Sequence, residues 1–331
     1  MRIWAVGALV IVTVACEAGG PAPDPIEITV PDGASMTVVI DTLATRGIVG
    51  QPRLFGLYAR LKKADRQVRS GRYALVPGED WSAILITLTE GRILTVPLTI
   101  PEGLTLPQIA ERIAPVSGVP AEAVLELIEG DSAHLEHGVP GPGLEGYLFP
   151  ETYRFAEDTP AARIVVTLTS AYREFWNDST RARLDSIALT EREATTLASI
   201  IQAEARRSEE MPLISSVYHN RLRRGWLLQA DPTVIYALGG HRERLLFAAI
   251  DSVADHPYNT YTQPGLPPGP IGAPGRAALE AALYPDEAEF MYFVATPGGT
   301  HVFTRTLAEH NRAAARARRA WDSIRASSEG S

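Results

Sequence analysis

One segment, residues 256–276, reads HPYNTYTQPGLPPGPIGAPGR and contains six prolines and four glycines. Proline lacks a backbone N–H and glycine weakens both helices and strands, so this stretch cannot form a regular element. It also lacks the charged or serine-rich character of a disordered linker. Its aromatic and large apolar residues are Tyr258, Tyr261, Leu266 and Ile271. A loop of this kind inside a globular region is more often ordered and functional than idle.

The composition is that of a globular protein with a sizeable core. Of the 331 residues, 45% are hydrophobic and 21% are charged, and the length favours about two domains. These values exclude a wholly disordered chain, a collagen-like fibre and a multi-span membrane protein. The net charge of −8 disfavours nucleic acid as a partner. The single cysteine excludes an internal disulfide and a multi-cysteine zinc site.

The N-terminal residues have the character of an export signal. Residues 3–15 are almost entirely apolar, a run shorter than the ~18–20 residues of a spanning helix and typical of a signal-peptide core. Small residues before Cys16 resemble a bacterial lipobox, in which that cysteine becomes the lipidated first residue; a short transmembrane anchor is the alternative. We therefore expect 1–16 to be a signal or anchor at the inner membrane and 17–25 a linker. The remainder is expected on the periplasmic or extracytoplasmic side.

Two similar patterns in the first half predict short strand–helix units. ITVPDG at 28–33 recurs in kind as LTIPEG at 98–103. Each is a β-prone run, then a Pro-acid-Gly turn, then apolar residues at helical spacing. A strand at 71–75 lies between them. The pattern alone favours a plain α+β region with a degenerate duplication around a mixed sheet, and a polysaccharide-binding module of LysM type is the alternative.

The second half is predicted to be mostly helical. Thr190 and Glu193 form a capping box that begins a helix running through Glu204. Ser208 and Asp231 have the character of N-caps for the next two helices. The other predicted elements are helices at 161–176 and 274–283, a hairpin of 291–295 with 301–303, and a basic helix from Ala308.

Carboxylates are the groups that remain for catalysis. The chain contains no GxSxG and no HExxH motif, its histidines are scattered, and no metal or cofactor is predicted. Glu204 follows the apolar residues Ile200 and Ile201 in its helix. Such surroundings raise the pKa of a carboxyl and let it act as a general acid near neutrality. The alternative is a surface glutamate paired with Arg206 or Arg207, and the sequence pattern alone favours this alternative.

Several long motifs occur in a fixed order over roughly residues 140–311. They are EGYLFP at 145–150, LASIIQAE at 197–204, NRL at 220–222, LQADPTVIY at 228–236, YNTY at 258–261, GLPPGPI at 265–271, YFV at 292–294, HVF at 301–303 and EHN at 309–311. Together they resemble the motifs of the MltG/YceG-like family of endolytic murein transglycosylases. The family's catalytic glutamate falls on Glu204. An acidic residue that some members carry two positions earlier is Gln202 here, so Glu204 is the candidate in this run.

The resemblance implies an α+β fold and a reaction. It implies a LysM-like region at 26–138, a mixed α/β YceG-like catalytic domain at 139–325 and a disordered tail at 326–331. It also implies cleavage of the β-1,4 bond between MurNAc and GlcNAc in nascent glycan strands, with formation of a 1,6-anhydro end, during cell-wall assembly. The Pro-rich loop is then expected to form one wall of the glycan groove. Candidates for hydrogen bonds to the sugars or to the glutamate are Gln229, Asp231, Asn259, Tyr261 and His301.

Two other functions stay open at this point. A muramidase-type hydrolase would ordinarily use two carboxylates, and a non-catalytic peptidoglycan-binding scaffold would use none. Anhydro ends, reducing ends or no cleavage distinguish the three. The expected partners are peptidoglycan strands, the cell-wall synthesis machinery and the membrane through the N-terminal anchor, without nucleic acid.

Overall fold

The computed structural model describes residues 23–130, 132–240 and 247–329. These residues form two compact units that divide between Leu94 and Thr95. The predicted signal or anchor with Cys16, and most of the predicted linker, lie outside the described residues. Within the described ranges, no helix is both long and apolar enough to cross a membrane.

The described part of the N-terminal unit, residues 23–94, contains two strands and three helices around its own core. In chain order they are β1 (Ile26–Val30), α1 (Met36–Thr45), α2 (Pro52–Leu61), β2 (Gly71–Leu75) and α3 (Trp81–Glu90). Strands β1 and β2 pair antiparallel, with Ile28 opposite Tyr73. Alternate residues of a strand point to the same face, and this places Ile28 and Tyr73 against Leu43 of α1 and Phe55 of α2 in one core.

The C-terminal unit contains the remaining described elements. They are β3 (Val96–Thr99), α4 (Leu106–Ser117), α5 (Ala121–Glu129), α6 (Ala133–His137), β4 (Thr152–Phe155), α7 (Ala161–Phe175), α8 (Asp178–Ile187), α9 (Glu191–Glu204), a 3-10 turn (Ser208–Glu210), α10 (Met211–Arg223), α11 (Asp231–Ala237), α12 (Phe247–Ser252), α13 (Arg276–Leu283), β5 (Tyr292–Ala295), β6 (His301–Thr304) and α14 (Leu307–Glu329). Strand β3 pairs antiparallel with β4, and β5 with β6. The fold is therefore a mixture of helices with small sheets.

The predicted recurrence in the first half is confirmed. Strands β1 and β3 are each followed by a tight turn and a helix, and glycine is needed in both turns because φ is +69° at Gly33 and +79° at Gly103. Each strand then pairs with a strand that follows its helices. The predicted single mixed sheet is wrong, because the sheets of the described residues are three separate antiparallel pairs.

The division between the units differs from the predicted boundary between 138 and 139. Leu98 of β3, Ile109 of α4 and Phe155 of β4 belong to the same core cluster as Leu197 of α9. The second strand–helix pattern therefore folds with the C-terminal unit. A local pattern specifies a strand and a helix, but it does not specify which core their apolar faces join. At the other end, α14 extends into the predicted tail as far as Glu329.

Helix α9 is the buried centre of the C-terminal unit. All residues from 194 to 201 are buried, and the helix packs against α8, α10, α11 and α13. Its buried hydroxyls are satisfied within the helix, since Thr195, Thr196 and Ser199 donate to backbone carbonyls of the preceding turn at 2.7–2.8 Å. A buried polar group without such a bond is costly, so this pattern lets a polar sequence sit in a core.

The helix starts agree with the predictions in part. The capping box is confirmed: Glu193 N donates to Thr190 Oγ1 at 3.2 Å and Thr190 N donates to Glu193 Oε2 at 2.8 Å. Ser208 is not an N-cap, because it begins the 3-10 turn and α10 starts only at Met211. Asp231 is the first residue of α11 rather than its cap. The acidic side chain of Asp231 is therefore left free for other contacts.

A close approach at Gly146 generates a stability prediction. Gly146 has φ +82°, and an added Cβ would lie 2.3 Å from Cβ of Pro270 in the Pro-rich loop. Gly225 has φ +65° with open space around it. We expect Gly225→Ala to cost about 1 kcal/mol from backbone strain alone, and Gly146→Ala about 3 kcal/mol or more because a rigid ring must also move. Urea unfolding of both variants measures the difference, and equal losses would contradict this packing.

Candidate active site

Glu204 lies at the end of α9, where the helix leaves the core. The helix stops there because Ala205 takes an extended conformation, with φ −77° and ψ 126°. The glutamate side chain is half-buried. Burial, and then the nearby carboxylate of Asp231, raises the pKa of Glu204 from 4.5 to about 7 against the opposing effects of Tyr218 and Arg221. The raised pKa that the sequence predicted is confirmed. Arg207, one of the two arginines considered as a partner of Glu204, donates to the carbonyl of Gly298 at 3.2 Å.

Helix α10 supplies two groups that contact or face this carboxyl. Tyr218 is buried, and its hydroxyl donates to Glu204 Oε1 at 3.1 Å. Its ring meets Phe293 of β5 edge-on, with centroids 5.8 Å apart. Arg221, one turn further along, is buried and donates to the carbonyls of Met291 at 2.9 Å and Leu228 at 2.6 Å. Its positive charge lowers the pKa of Glu204 while its donors fix the segment that leads into α11.

Asp231 and Tyr261 form a second pair beside Glu204. The Tyr261 hydroxyl donates a short hydrogen bond to Asp231 Oδ1. Burial and this bond raise the pKa of Tyr261 well above its ordinary value. Asp231 is exposed while Tyr261 is half-buried. The structure therefore brings both of these predicted residues to the glutamate.

The Pro-rich loop is attached to the same helix that ends in Glu204. Ile271 N donates to Ser199 Oγ, and Gly275 N donates to Gln202 Oε1, both at 3.0 Å. Ser199 and Gln202 are three residues apart and so lie on one side of α9. Neither residue could be predicted as an attachment point, because nothing in the neighbouring sequence indicates a contact with a loop some 70 residues away.

The remaining predicted residues have different surroundings. Gln229 is exposed in a left-handed conformation, φ +48°, and its backbone N–H donates to Thr260 O at 3.0 Å. Asn259 is fully buried. Its amide donates to the carbonyls of Ile250 and Val253 at 3.0 Å, while its Oδ1 accepts from Tyr261 N at 3.0 Å. A contact of Asn259 with sugar stays a prediction, and the geometry favours a role in shaping the loop.

His301 lies on β6 beside the ring that supports Tyr218. Its Nδ1 is 2.9 Å from Glu210 Oε2, and its backbone N–H donates to Glu210 Oε1 at 2.9 Å. Its ring meets Phe293 edge-on at 5.3 Å. These contacts connect His301 to Tyr218 through an aromatic ring, and they connect hairpin β5–β6 to the turn after α9.

A second glutamate with a raised pKa lies in the EGYLFP motif. Burial raises the pKa of Glu145 to about 7, although bonds from the backbone of Leu106 and from Tyr236 lower it. Its Oε2 accepts from Leu106 N at 3.3 Å and from the Tyr236 hydroxyl at 3.4 Å. Its Oε1 is buried without a hydrogen-bond partner among the described residues. Glu145 is therefore a carboxyl of similar acidity outside the Glu204 cluster, which consists of Glu204, Tyr218, Arg221, Asp231 and Tyr261.

Two further features of the described residues add nothing to that cluster. In the described ranges, no group of three or more His, Cys, Asp or Glu side chains is placed to hold a metal ion. A cavity of about 530 Å³ lies between α7, α8 and α13, with Phe175, Arg276 and Tyr284 among its lining residues. Glu204 is not part of that lining.

The chain is similar to proteins of one known family. Residues 28–316 match the model of the YceG-like family. The chain is 34% identical over 307 residues to the endolytic murein transglycosylase of Bacillus subtilis (strain 168), covering 87% of this chain and 83% of that one. It is 28% identical over 317 residues to the protein of the same name from Streptococcus pneumoniae (strain D39), covering 57% of that longer relative.

A solved structure is also similar. The crystal structure of a YceG-like protein from Listeria monocytogenes matches with a TM-score of 0.60 and 32% identity, covering 87% of this chain and 98% of that one. The family model's match over residues 28–316 includes both strand–helix patterns and Glu204. The chain belongs to the YceG-like family.

The raised pKa of Glu204 predicts a pH-dependent effect on stability. The group ionises near 4.5 in the unfolded chain and near 7 in the folded one, so stability is lost as the pH rises between these values. Glu204→Gln removes that loss. We expect the variant to match wild type near pH 4 and to exceed it by ~3 kcal/mol at pH 8. Urea unfolding at both pH values measures this, and a difference independent of pH would contradict the assignment.

Proposed function

We propose that the protein is an endolytic murein transglycosylase, which cleaves MurNAc–GlcNAc β-1,4 bonds within peptidoglycan strands outside the cytoplasm. The observation that carries the proposal is Glu204, a half-buried carboxyl with a pKa of about 7 at the edge of the core. A general acid works best when its pKa lies near the working pH. The relatives from Bacillus subtilis and Streptococcus pneumoniae carry this enzyme name.

The first step uses the protonated form of Glu204. Its carboxyl donates a proton to the glycosidic oxygen as the bond between that oxygen and C1 of MurNAc breaks. GlcNAc leaves as an alcohol, and positive charge develops at C1. Glu204 is left as a carboxylate, the form that the hydrogen bond from Tyr218 stabilises.

The second step returns the proton. The Glu204 carboxylate accepts it from the C6 hydroxyl of the same MurNAc, and O6 bonds to C1. The product is a 1,6-anhydro ring, no water is consumed and the enzyme regains its starting protonation. One carboxyl thus serves both steps, whereas a glycosidase of the usual kind divides them between two.

The neighbouring residues then have distinct roles. Asp231 raises the pKa of Glu204, and its negative charge favours the positive charge developing at C1. Tyr261 holds Asp231 through its hydroxyl. Gln229 is exposed, and its amide can hydrogen-bond a sugar. Asn259 and His301 act indirectly, since Asn259 bonds the backbone of Tyr261 and His301 supports the ring that packs on Tyr218.

The N-terminal unit is the proposed glycan-binding module. Its order of strand, two helices and strand, with the two strands paired antiparallel, supports the LysM-like interpretation. The short apolar segment ending at Cys16 supports a membrane anchor. Together these would keep a catalytic unit near newly made strands at the outer face of the membrane.

A muramidase-type hydrolase is the second candidate, and one observation favours it. Asp231 is close enough to Glu204 to raise its pKa, so two carboxylates are present at one site. In a hydrolase, Asp231 would act as nucleophile or as base for a water molecule, and the product would carry a reducing end.

Product analysis of a matched pair of variants tests the proposal. Glu204→Gln keeps the shape and the bond from Tyr218 but cannot transfer the proton, so release of 1,6-anhydro muropeptides from purified peptidoglycan should fall 10²–10⁴-fold. Glu145→Gln is the control, since it changes a glutamate of similar pKa outside the cluster, and it should retain activity within about tenfold.

Three results would contradict parts of this account. Reducing ends in place of anhydro ends would favour the hydrolase. Equal activity of a folded Glu204→Gln protein, checked by circular dichroism, would remove Glu204 from catalysis. Wild-type activity that does not fall as the pH rises through about 7 would show that no protonated group of that pKa is needed.

A further inference from the structure

Helix α2 in the N-terminal unit presents an apolar stripe away from its core. Leu54, Leu57 and Leu61 are 54%, 56% and 73% exposed. Their spacing of three and four residues places them along one side of the helix. On the other side, Phe55 and Ala59 are fully buried. A surface helix normally carries polar residues on its outer face. Helix α2 differs, because it has an apolar stripe on its outer face as well as on the face that packs against the core.

Basic residues surround this stripe. Arg53, Arg60, Lys62 and Lys63 are all exposed on α2 or directly after it. The wider segment from 46 to 72 contains eight basic residues and one acidic residue, although the whole chain carries a net charge of −8. The basic residues are Arg46, Arg53, Arg60, Lys62, Lys63, Arg66, Arg69 and Arg72. Arg72 is paired with Glu27. The positive charge beside the three leucines therefore comes from the exposed cations on α2 or directly after it, Arg53, Arg60, Lys62 and Lys63.

The combination of exposed leucines and flanking basic residues indicates one kind of binding partner. Leucines that insert into an apolar phase, flanked by lysine and arginine that meet phosphate groups, characterise helices that lie in the interface of an anionic bilayer. A glycan strand offers hydroxyl groups rather than an apolar phase to the leucine side chains. Charge complementarity and exposed apolar area both favour the membrane.

The position of α2 in the chain agrees with that choice. The predicted membrane segment ends at residue 16, and β1 begins at Ile26. Ten extended residues span at most about 35 Å, so an anchored chain keeps the N-terminal unit within that distance of the bilayer. A tether of this length gives an effective concentration in the millimolar range. Docking by α2 then needs only weak intrinsic affinity.

We infer that α2 docks on the anionic membrane surface, with Leu54, Leu57 and Leu61 at the boundary between headgroups and acyl chains and the surrounding cations against lipid phosphates. This contact fixes the orientation of the N-terminal unit relative to the bilayer. It is independent of the chemistry at Glu204.

Vesicle binding of the chain from residue 23 onward tests the inference. This chain lacks the predicted anchor, and it retains every described residue of both hydrophobic cores. It should co-sediment with vesicles of phosphatidylglycerol and phosphatidylcholine at accessible lipid up to about 5 mM, the range that a tether supplies. Binding should weaken at least tenfold on vesicles of phosphatidylcholine alone, and also in high salt.

Three variants distinguish docking through α2 from non-specific hydrophobic adsorption to vesicles. The triple change Leu54→Ser, Leu57→Ser and Leu61→Ser should weaken binding at least tenfold. The control is Leu127→Ser with Leu135→Ser, which removes leucines that are 40% and 72% exposed in the C-terminal unit, and it should bind as wild type does. Arg53→Glu with Arg60→Glu reverses charge without touching the leucines and should also weaken binding at least tenfold. If the triple variant fails to fold by circular dichroism, the charge variant decides the question.

Several outcomes would overturn the inference. They are absence of vesicle binding by the wild type, equal binding to neutral and anionic vesicles, and equal loss in the control variant. Binding to peptidoglycan sacculi that the triple or charge variant abolishes, without vesicle binding, would assign the surface to glycan. A wild-type dimer in sedimentation velocity that the same variants dissociate, again without vesicle binding, would assign it to self-association.

Discussion

Helix α9 is buried along most of its length, and this constraint organises the C-terminal unit. Because its middle is enclosed by four other helices, the hydroxyls of Thr195, Thr196 and Ser199 must bond to the helix backbone. The side chains that emerge at its end have defined partners: Gln202 meets the Pro-rich loop and Glu204 meets Tyr218. The Glu204 carboxyl is therefore positioned by a buried helix, and the Pro-rich loop is attached to that same helix.

The acidity of Glu204 is a balance of opposing effects. Burial and the Asp231 carboxylate favour the protonated acid, while Tyr218 and Arg221 favour the carboxylate. A pKa of about 7 means that neither form is strongly preferred. That is the property that a single group needs if it must first donate and then accept a proton. Burial alone would keep Glu204 protonated, and a full ion pair with Arg221 would keep it ionised.

The features that could be predicted from the sequence are those that depend on residues close together along the chain. The Thr190–Glu193 capping box, the two strand–turn–helix patterns and the apolar surroundings of Glu204 are local features. Tyr218 and Asp231 reach Glu204 from two other helices, and no local pattern indicates that convergence. The joining of β3 and β4 to the C-terminal core was missed for the same reason, since it is decided by which apolar faces meet. The family motifs marked these regions without stating their geometry.

The central claim is that one carboxyl is poised between its two forms near neutral pH. Carbon-13 NMR titration of the glutamate carboxyls measures it directly, with the Glu204 resonance assigned by its loss in Glu204→Gln. The account predicts a midpoint of about 7. It also predicts a lower midpoint in Asp231→Asn, because a neighbouring negative charge is removed. A Glu204 midpoint near the ordinary 4.5 would contradict the account, since the carboxyl would then lack the proton that the first step requires.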